Sequence, residues 1–315
     1  MAEIRLKTVT RSQGNNQAVK DGTAKPGRFT FEFEEVPVLV HAFRRMVRNL
    51  EFDVCEMAFT TYLCAKAHGK PISALPIFLV RGFHHGAMAY NTRSDIRAPR
   101  DLEGRTVGVN RGYTVTTGVW ARGILQDEYG VELDKVTWAP SGDEHVAEYR
   151  PPVNVVPMPP RSNLAAAVSS GDLAACVGTT VDHHDVAPLI PDAASAGFEA
   201  LRQRRLYPIN HLVVVRDELL REYPSLASDV FGAFTESKNR YIEQLRNSRI
   251  ENPTAADLMY RRVMEITGGD PLPYGIAPNR TMIDKLMQHA ITQRIIDRPM
   301  PVESLFVECT QALSG

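Results

Sequence analysis

No apolar run in this 315-residue chain approaches the ~20 residues needed to span a bilayer, and stretches such as Leu212 to Val215 have only the length of strands. Charge of one sign is missing too: 36 Lys and Arg stand against 37 Asp and Glu, a formal net charge of -1. With no long basic run and two tryptophans, the chain lacks the footprint of a nucleic-acid binder. The four cysteines, Cys55, Cys64, Cys176 and Cys309, form no CxxC pair, which excludes a thiol redox motif and fits reduced thiols. The opening MAEIRLKTVTR carries charges where a secretory signal would be apolar. A cytoplasmic protein without membrane or nucleic-acid partners is expected. No fixed-period repeat or low-complexity segment is present.

The length is enough for two lobes, each able to bury its own core. Strand patterns at 4–9, 29–35 and in FDVCEM alternate with helical patterns at 42–50 and 60–68, the latter with Thr60 or Thr61 as cap, and this order implies a parallel sheet. Strands at 72–79 and 86–90 follow, then one at 105–109, a helix at 116–129 and a strand near 135–138. Five prolines between Pro151 and Pro160 argue against continuous helix there. A short helix at 163–170, a strand at 174–177, a loop GTTVDHHD, a loop-like Arg/Gln run and an apolar strand at 207–215 come next, with helices at 225–246, 255–267 and 279–292 closing the chain.

The densest segment is RGFHHGAMAYNTRSDIRAPRDLEGRTVGVNRGYTVTTGVW, residues 81–120. Its second half reads as a strand, a polar loop and the start of a helix, a junction that presents unpaired N–H groups and the positive end of a helix dipole. Tyr113, Thr114 and Thr116 add hydroxyls, and glycine is too sparse for a nucleotide loop, so the expected ligand is a carboxylate. The alternative is that Thr114 or Thr116 only caps the helix.

The DLEGRTVGV strand with its loop and helix resembles the second lobe of type II periplasmic-binding-protein folds. FHHGAMAYN, GVWARGILQDEYGV, YPINHLVVVRDEL and GGDPLPYGIAPNR, in that order, make the chain similar to the 4,5-dihydroxyphthalate decarboxylase family from about Val36 to Phe306. The resemblance implies an α/β fold of two lobes, with mixed sheets flanked by helices and a ligand cleft between them. Lobe one would comprise 1–90 and 208–315, lobe two 91–207, with crossings at 86–90 and 207–215.

Five histidines fall at strand ends or crossings: His84 and His85, His183 and His184, and His211. Imidazole donates and accepts protons near neutral pH, so His85 and His211, with His84 and His183 beside them, are the candidate catalytic groups. Arg81, Arg111 and Arg11 offer guanidinium forks for carboxylates, whereas most arginines are solvated surface charges. Glu56, at the end of an apolar strand, would hold a ring hydroxyl or cap the next helix, and Thr60 and Thr61 would present backbone N–H groups. Trp120 and Trp138 could stack on an aromatic ring, but their spacing also fits ordinary core packing, the expected role of Trp138.

The implied reaction is non-oxidative decarboxylation of a hydroxylated aromatic acid, 4,5-dihydroxyphthalate to 3,4-dihydroxybenzoate, without a cofactor. A divalent metal held by these histidines with Glu56, Asp182 or Asp185 is the alternative, although adjacent His-His pairs lack the i, i+4 spacing of helical ligands. Family members often read Phe-Arg-His where this chain has Phe83-His84-His85, which leaves the exact substrate open. Two further readings are a solute-binding or sensor protein for an aromatic carboxylate, and a relative of the thiamine-pyrimidine synthases, whose cysteine-rich motif is absent. A homo-oligomer is compatible with all of these.

Overall fold

The computed structural model describes residues 4–315; Met1 to Glu3, where the expected lobe one begins, lie outside the described residues. The chain opens with β1 (Ile4–Val9), α1 (Gln17–Lys20), β2 (Phe29–Phe33), α2 (Leu39–Asn49), β3 (Val54–Ala58), α3 (Phe59–Ala67) and β4 (Ile72–Arg81). It continues through β5 (Met88–Asn91), β6 (Thr106–Val109), α4 (Thr116–Tyr129), β7 (Thr137–Pro140), α5 (Leu164–Ser170), β8 (Ala175–Val177), β9 (Val186–Pro188) and α6 (Ala193–Arg204). Then come β10 (Ile209–Arg216), α7 (Asp217–Glu222), α8 (Leu226–Arg246), α9 (Ala255–Thr267) and α10 (Arg280–Thr292).

Two mixed five-stranded sheets result. The first has the order β2-β1-β3-β10-β4, with β1 parallel to β2 and β3, and β10 antiparallel to β3 and β4. The second has the order β7-β6-β8-β5-β9, with β6 parallel to its neighbours and β5 antiparallel to both of its own. β3 is buried at every position, the signature of a central strand covered on both faces. In the first core Leu6, Val54, Leu75 and Val213 meet Val230 and Phe234 of α8. The second sheet places Ala89 and Cys176 against Leu164 and Val168 of α5.

The chain divides into two compact units: one up to Gly82 with Ile209–Asp284 and Met300–Gly315, the other Phe83–Pro208 with Lys285–Pro299. The first division therefore falls at Gly82 rather than after residue 90, because β5 pairs with β8 and β9 in the second sheet. Residues 285–299, expected in lobe one, belong to the second unit. There the Gln293 amide accepts from Arg122 Nε at 2.8 Å and donates to the Val119 carbonyl at 2.9 Å. Gly123 makes room for this packing: a Cβ on it would lie 2.5 Å from the His289 ring.

Other expectations are corrected locally. The run before β10 is a helix, α6, with Asp192 as its N-cap; only Gly197, Ala200 and Leu201 are buried, so the apolar stripe that marks a helix is too thin to see. Neither Thr60 nor Thr61 caps α3, because its N-cap is Ala58. The α4 N-cap is Val115, so Thr114 and Thr116 do not fill that position either. Among the described residues no helix is long and apolar enough to cross a membrane.

Candidate functional site

In the first unit a carboxylate and an imidazole are paired on adjacent strands. Val213 of β10 sits opposite Glu56 of β3, and His211 opposite Ala58, so Glu56 and His211 are diagonal neighbours across the ladder. His211 Nδ1 and Glu56 Oε1 are 2.6 Å apart. The Arg11 backbone N–H donates to Glu56 Oε2 at 2.9 Å, and the half-exposed Arg11 guanidinium lies 3.9 Å from Oε1. Glu56 is fully buried, so its charge is compensated by these groups rather than by water. The ring of His211 meets Phe43 edge-on at 5.3 Å, and its Nε2 has no hydrogen-bond partner among the described residues. A carboxylate that accepts from Nδ1 fixes the tautomer and leaves Nε2 as the proton-transfer atom.

Three other candidates also belong to this unit. Arg81 is buried, and its Nη1 donates to Asn279 Oδ1 at 2.6 Å. Asn279 is fixed in turn by bonds to the Pro273 and Gly275 carbonyls, both 2.8 Å. Thr60 and Thr61 are fully buried in the first turn of α3.

In the second unit the polar loop before α4 does hold a carboxylate, and it is the protein's own. Tyr113 N–H donates to Glu144 Oε1 at 2.5 Å, while Thr114 N–H and Oγ1 donate to Glu144 Oε2 at 3.1 and 2.6 Å. Arg111, at φ 67°, turns the chain into this cradle, and its N–H donates to Ser141 Oγ at 2.9 Å. Thr116 is buried in the first helical turn. Beneath the loop lies Arg122, fully buried, stacked 3.9 Å from the centroid of the Tyr113 ring, with Nη2 donating to the Tyr113 carbonyl at 2.6 Å. Burial pushes its guanidinium below its ordinary pKa, against the opposing attraction of Tyr113, Tyr149 and Glu144.

His85 is fully buried with Nε2 3.1 Å from both Glu128 oxygens, and Arg204 Nη2 reaches Glu128 Oε1 at 2.6 Å. Burial raises the Glu128 carboxyl, but the bond and charge of His85 and the charge of Arg204 outweigh it and hold the group below the usual carboxylate range. His84 is buried beside it. His183 stacks on His184, with ring centroids 4.2 Å apart, and is not brought to His85 by any contact among the described residues. With Asp185 the pair puts three donor atoms within 4.8 Å of one another on a loop where the His184 side chain is 81% exposed. This is the one group of potential metal ligands among the described residues. Asp182 is not part of it, and Glu56 is committed to His211 and Arg11.

Nothing in the sequence marks Glu128, Glu144 or the burial of Arg122. Each partner lies about 30 to 170 residues from the group it serves, so no local spacing reveals it.

No family model matches the chain. Among curated proteins it is similar to a 4,5-dihydroxyphthalate decarboxylase of Comamonas testosteroni, 27% identical over 281 residues and 84% of each chain. A 4,5-dihydroxyphthalate decarboxylase of Pseudomonas putida is 30% identical over 180 residues, 52% of this chain and 69% of the relative. The chain belongs to the 4,5-dihydroxyphthalate decarboxylase family. Solved structures agree on the architecture that the family resemblance implies. The desulfurization enzyme DSZB superposes with a TM-score of 0.54 at 12% identity, over 96% of both chains. The periplasmic aliphatic sulphonate binding protein SsuA of Escherichia coli gives 0.53 at 11%, over 98% of this chain and 92% of that one. At such identities they show the type II periplasmic-binding-protein-like fold alone.

Proposed function

We propose that the protein catalyses non-oxidative decarboxylation of a hydroxylated aromatic acid of the phthalate type, with 4,5-dihydroxyphthalate as substrate and 3,4-dihydroxybenzoate and carbon dioxide as products. Family membership supports the reaction class, and the observation that carries the chemistry is the Glu56–His211 pair. Replacing a ring carboxylate by hydrogen consumes one proton. The hydroxyl para to the reacting carbon pushes electron density onto it, the His211 imidazolium delivers the proton from Nε2, and the carbon–carboxylate bond then breaks, its electron pair restoring the aromatic ring. Glu56 holds Nδ1–H in place and stabilises the imidazolium before transfer. We assign the proton to His211 rather than His85, whose Nε2 is engaged with Glu128 inside a fully buried side chain. Arg11, next to Glu56 and half exposed, is the group in that unit best placed to meet a substrate carboxylate. All four cysteines are free thiols, which suits action in the cytoplasm.

The experiment is incubation of purified, chelator-treated protein with 4,5-dihydroxyphthalate while carbon dioxide is followed. Undiminished turnover relative to untreated protein is expected. Loss of turnover on chelation, restored by zinc or manganese, would move the chemistry to a metal and make His183, His184 and Asp185 its candidate ligands. Tight binding with no release from any ring acid would favour a receptor instead.

A further inference from the structure

We propose that Arg261 of α9 and the side-chain amide of Gln13 form a carboxylate subsite in the first unit, which anchors the carboxylate that stays on the ring of an aromatic acid. This rests on the reading of the protein as a decarboxylase of such acids. The Arg261 side chain is partly buried and makes no hydrogen bond or ion pair among the described residues. Its Nε and Nη2, an edge of the guanidinium that can meet both oxygens of a carboxylate, are buried without an acceptor. The acids one turn away on α9 are committed elsewhere. Asp257 takes the Tyr241 hydroxyl on Oδ1 and, on Oδ2, the Thr254 N–H and hydroxyl, both at 2.7 Å. Burial raises its carboxyl, but these bonds and, last in weight, the charge of Arg261 hold it below its ordinary range. Glu265 pairs with Arg262 at 2.6 Å. A charged fork buried without a partner is costly to keep, and a ligand carboxylate satisfies it.

Gln13 is a separate sign of the same ligand. It lies in the loop 10–16 after β1, at the end of the sheet where open α/β folds bind ligands. The loop is fastened by its own side chains. Asn16 Nδ2 donates to the Arg11 carbonyl at 2.7 Å, Gln13 N–H to Asn16 Oδ1 at 3.0 Å, and Asn15 Nδ2 to the Leu79 carbonyl at 2.8 Å. Within this frame Gln13 Nε2 is buried and has no acceptor. Two residues earlier, the Arg11 N–H holds Glu56. The unpaired atoms of Gln13 and Arg261 are all donors, which calls for an anion.

The packing brings the two together. Gly14 carries the loop against α8, since a Cβ on it would lie 2.1 Å from the Tyr241 ring, and the hydroxyl of that ring binds Asp257. Gln13 and Arg261 thus flank one continuous contact, Gly14 to Tyr241 to Asp257, the first as the neighbour of Gly14 and the second one turn after Asp257. Tyr260, adjacent to Arg261, ties α9 to the strand ends. Burial pushes its hydroxyl up to about 12, against the opposing pull of the Arg81 backbone and of the Arg81 and Arg11 charges. α9 therefore stands beside the end of β4 and the Arg11 loop that holds Glu56. Such an anchor suits the retained carboxylate, because firm bonds to the departing one would stabilise it against becoming neutral carbon dioxide.

The test is calorimetric binding of 3,4-dihydroxybenzoate, which keeps the anchored carboxylate, and of catechol, which has the same ring hydroxyls and none. Arg261→Gln is expected to weaken binding of the acid by about 10- to 100-fold, the worth of a charge-assisted pair. Gln13→Ala should weaken it by about 3- to 10-fold. Arg261→Lys, which keeps the charge without the fork, should recover only part of the loss. Catechol binding is expected to be unaffected, or undetectable from the start for want of the carboxylate. Unchanged affinity for the acid in folded Arg261→Gln overturns the proposal, as does an equal loss for both ligands, which would mean a packing role. Absence of 3,4-dihydroxybenzoate binding by the wild type overturns it too. Should Arg261→Gln not fold, Arg261→Lys and Gln13→Ala carry the test; if no variant folds, both side chains are structural and the proposal falls. The carbon dioxide assay is independent of these outcomes. A protein that releases no carbon dioxide yet loses the acid on Arg261→Gln keeps the subsite and loses the reaction, whereas release with unchanged affinity removes the subsite alone.

Discussion

His211→Ala is expected to lower kcat for decarboxylation by about 10²–10⁴-fold, the usual worth of a positioned general acid, while changing KM little. The reason is local. Glu56 accepts from Nδ1 at 2.6 Å and is itself held by the Arg11 N–H, so the imidazole is oriented before substrate arrives, with only Nε2 left to act. Removing the ring takes away the proton donor but no group expected to hold a carboxylate. Glu56→Gln should show a smaller fall in kcat, since the ring stays in place but loses the charge that stabilises imidazolium. Steady-state kinetics on both variants, with folding checked by circular dichroism, decides the matter. A loss confined to KM would place His211 in binding rather than in proton transfer.

The second large effect is on stability. Desolvation of the buried His289 ring drops its pKa from 6.5 to about 4, against the opposing attraction of Asp127 and with a contribution from Lys285. The ring therefore stays neutral in the folded protein while the unfolded chain takes up a proton near pH 6.5. Stability is complete above pH 6.5 and is lost as pH falls toward 4, by about 3 kcal/mol in total at 1.36 kcal/mol per unit. Most carboxylates titrate below about pH 4.5, but the other eight histidines share the window between pH 6.5 and 5, so the effect is read there as the difference in urea unfolding between the wild type and His289→Gln. His289→Gln should flatten that part of the curve, and an equal slope in both proteins would refute the assignment. Trp120 packs edge-on to this ring at 5.4 Å, so its fluorescence reports the transition. Turnover is best measured above pH 6.5, where this loss does not contribute.

Much of this architecture is legible before any coordinates. Apolar runs such as FDVCEM and HLVVV announce central strands because a strand covered on both faces must be hydrophobic throughout, and β3 and β10 lie where those runs predict. α6 is not legible, since a helix that buries three residues leaves no periodic stripe. The placement of 285–299 in the second unit is likewise hidden, because it depends on one glutamine and one histidine meeting α4 from far along the chain. At the candidate site, residue types were readable and partners were not. A carboxylate was expected at the loop from its hydroxyls and helix start, but nothing in SGDEH marks Glu144 as the one that fills it. His85 and His211 looked equivalent in the sequence. Their surroundings separate them, one with Nε2 tied to Glu128 and the other with Nε2 open.

The measurement that tests the central claim most directly is turnover of 4,5-dihydroxyphthalate by the wild-type protein in D2O, with the ring product analysed by mass spectrometry. Proton delivery to the carbon that loses carbon dioxide predicts 3,4-dihydroxybenzoate carrying one ring deuterium. Recovery of the unreacted diacid, or of a product with no deuterium at that carbon, would contradict it.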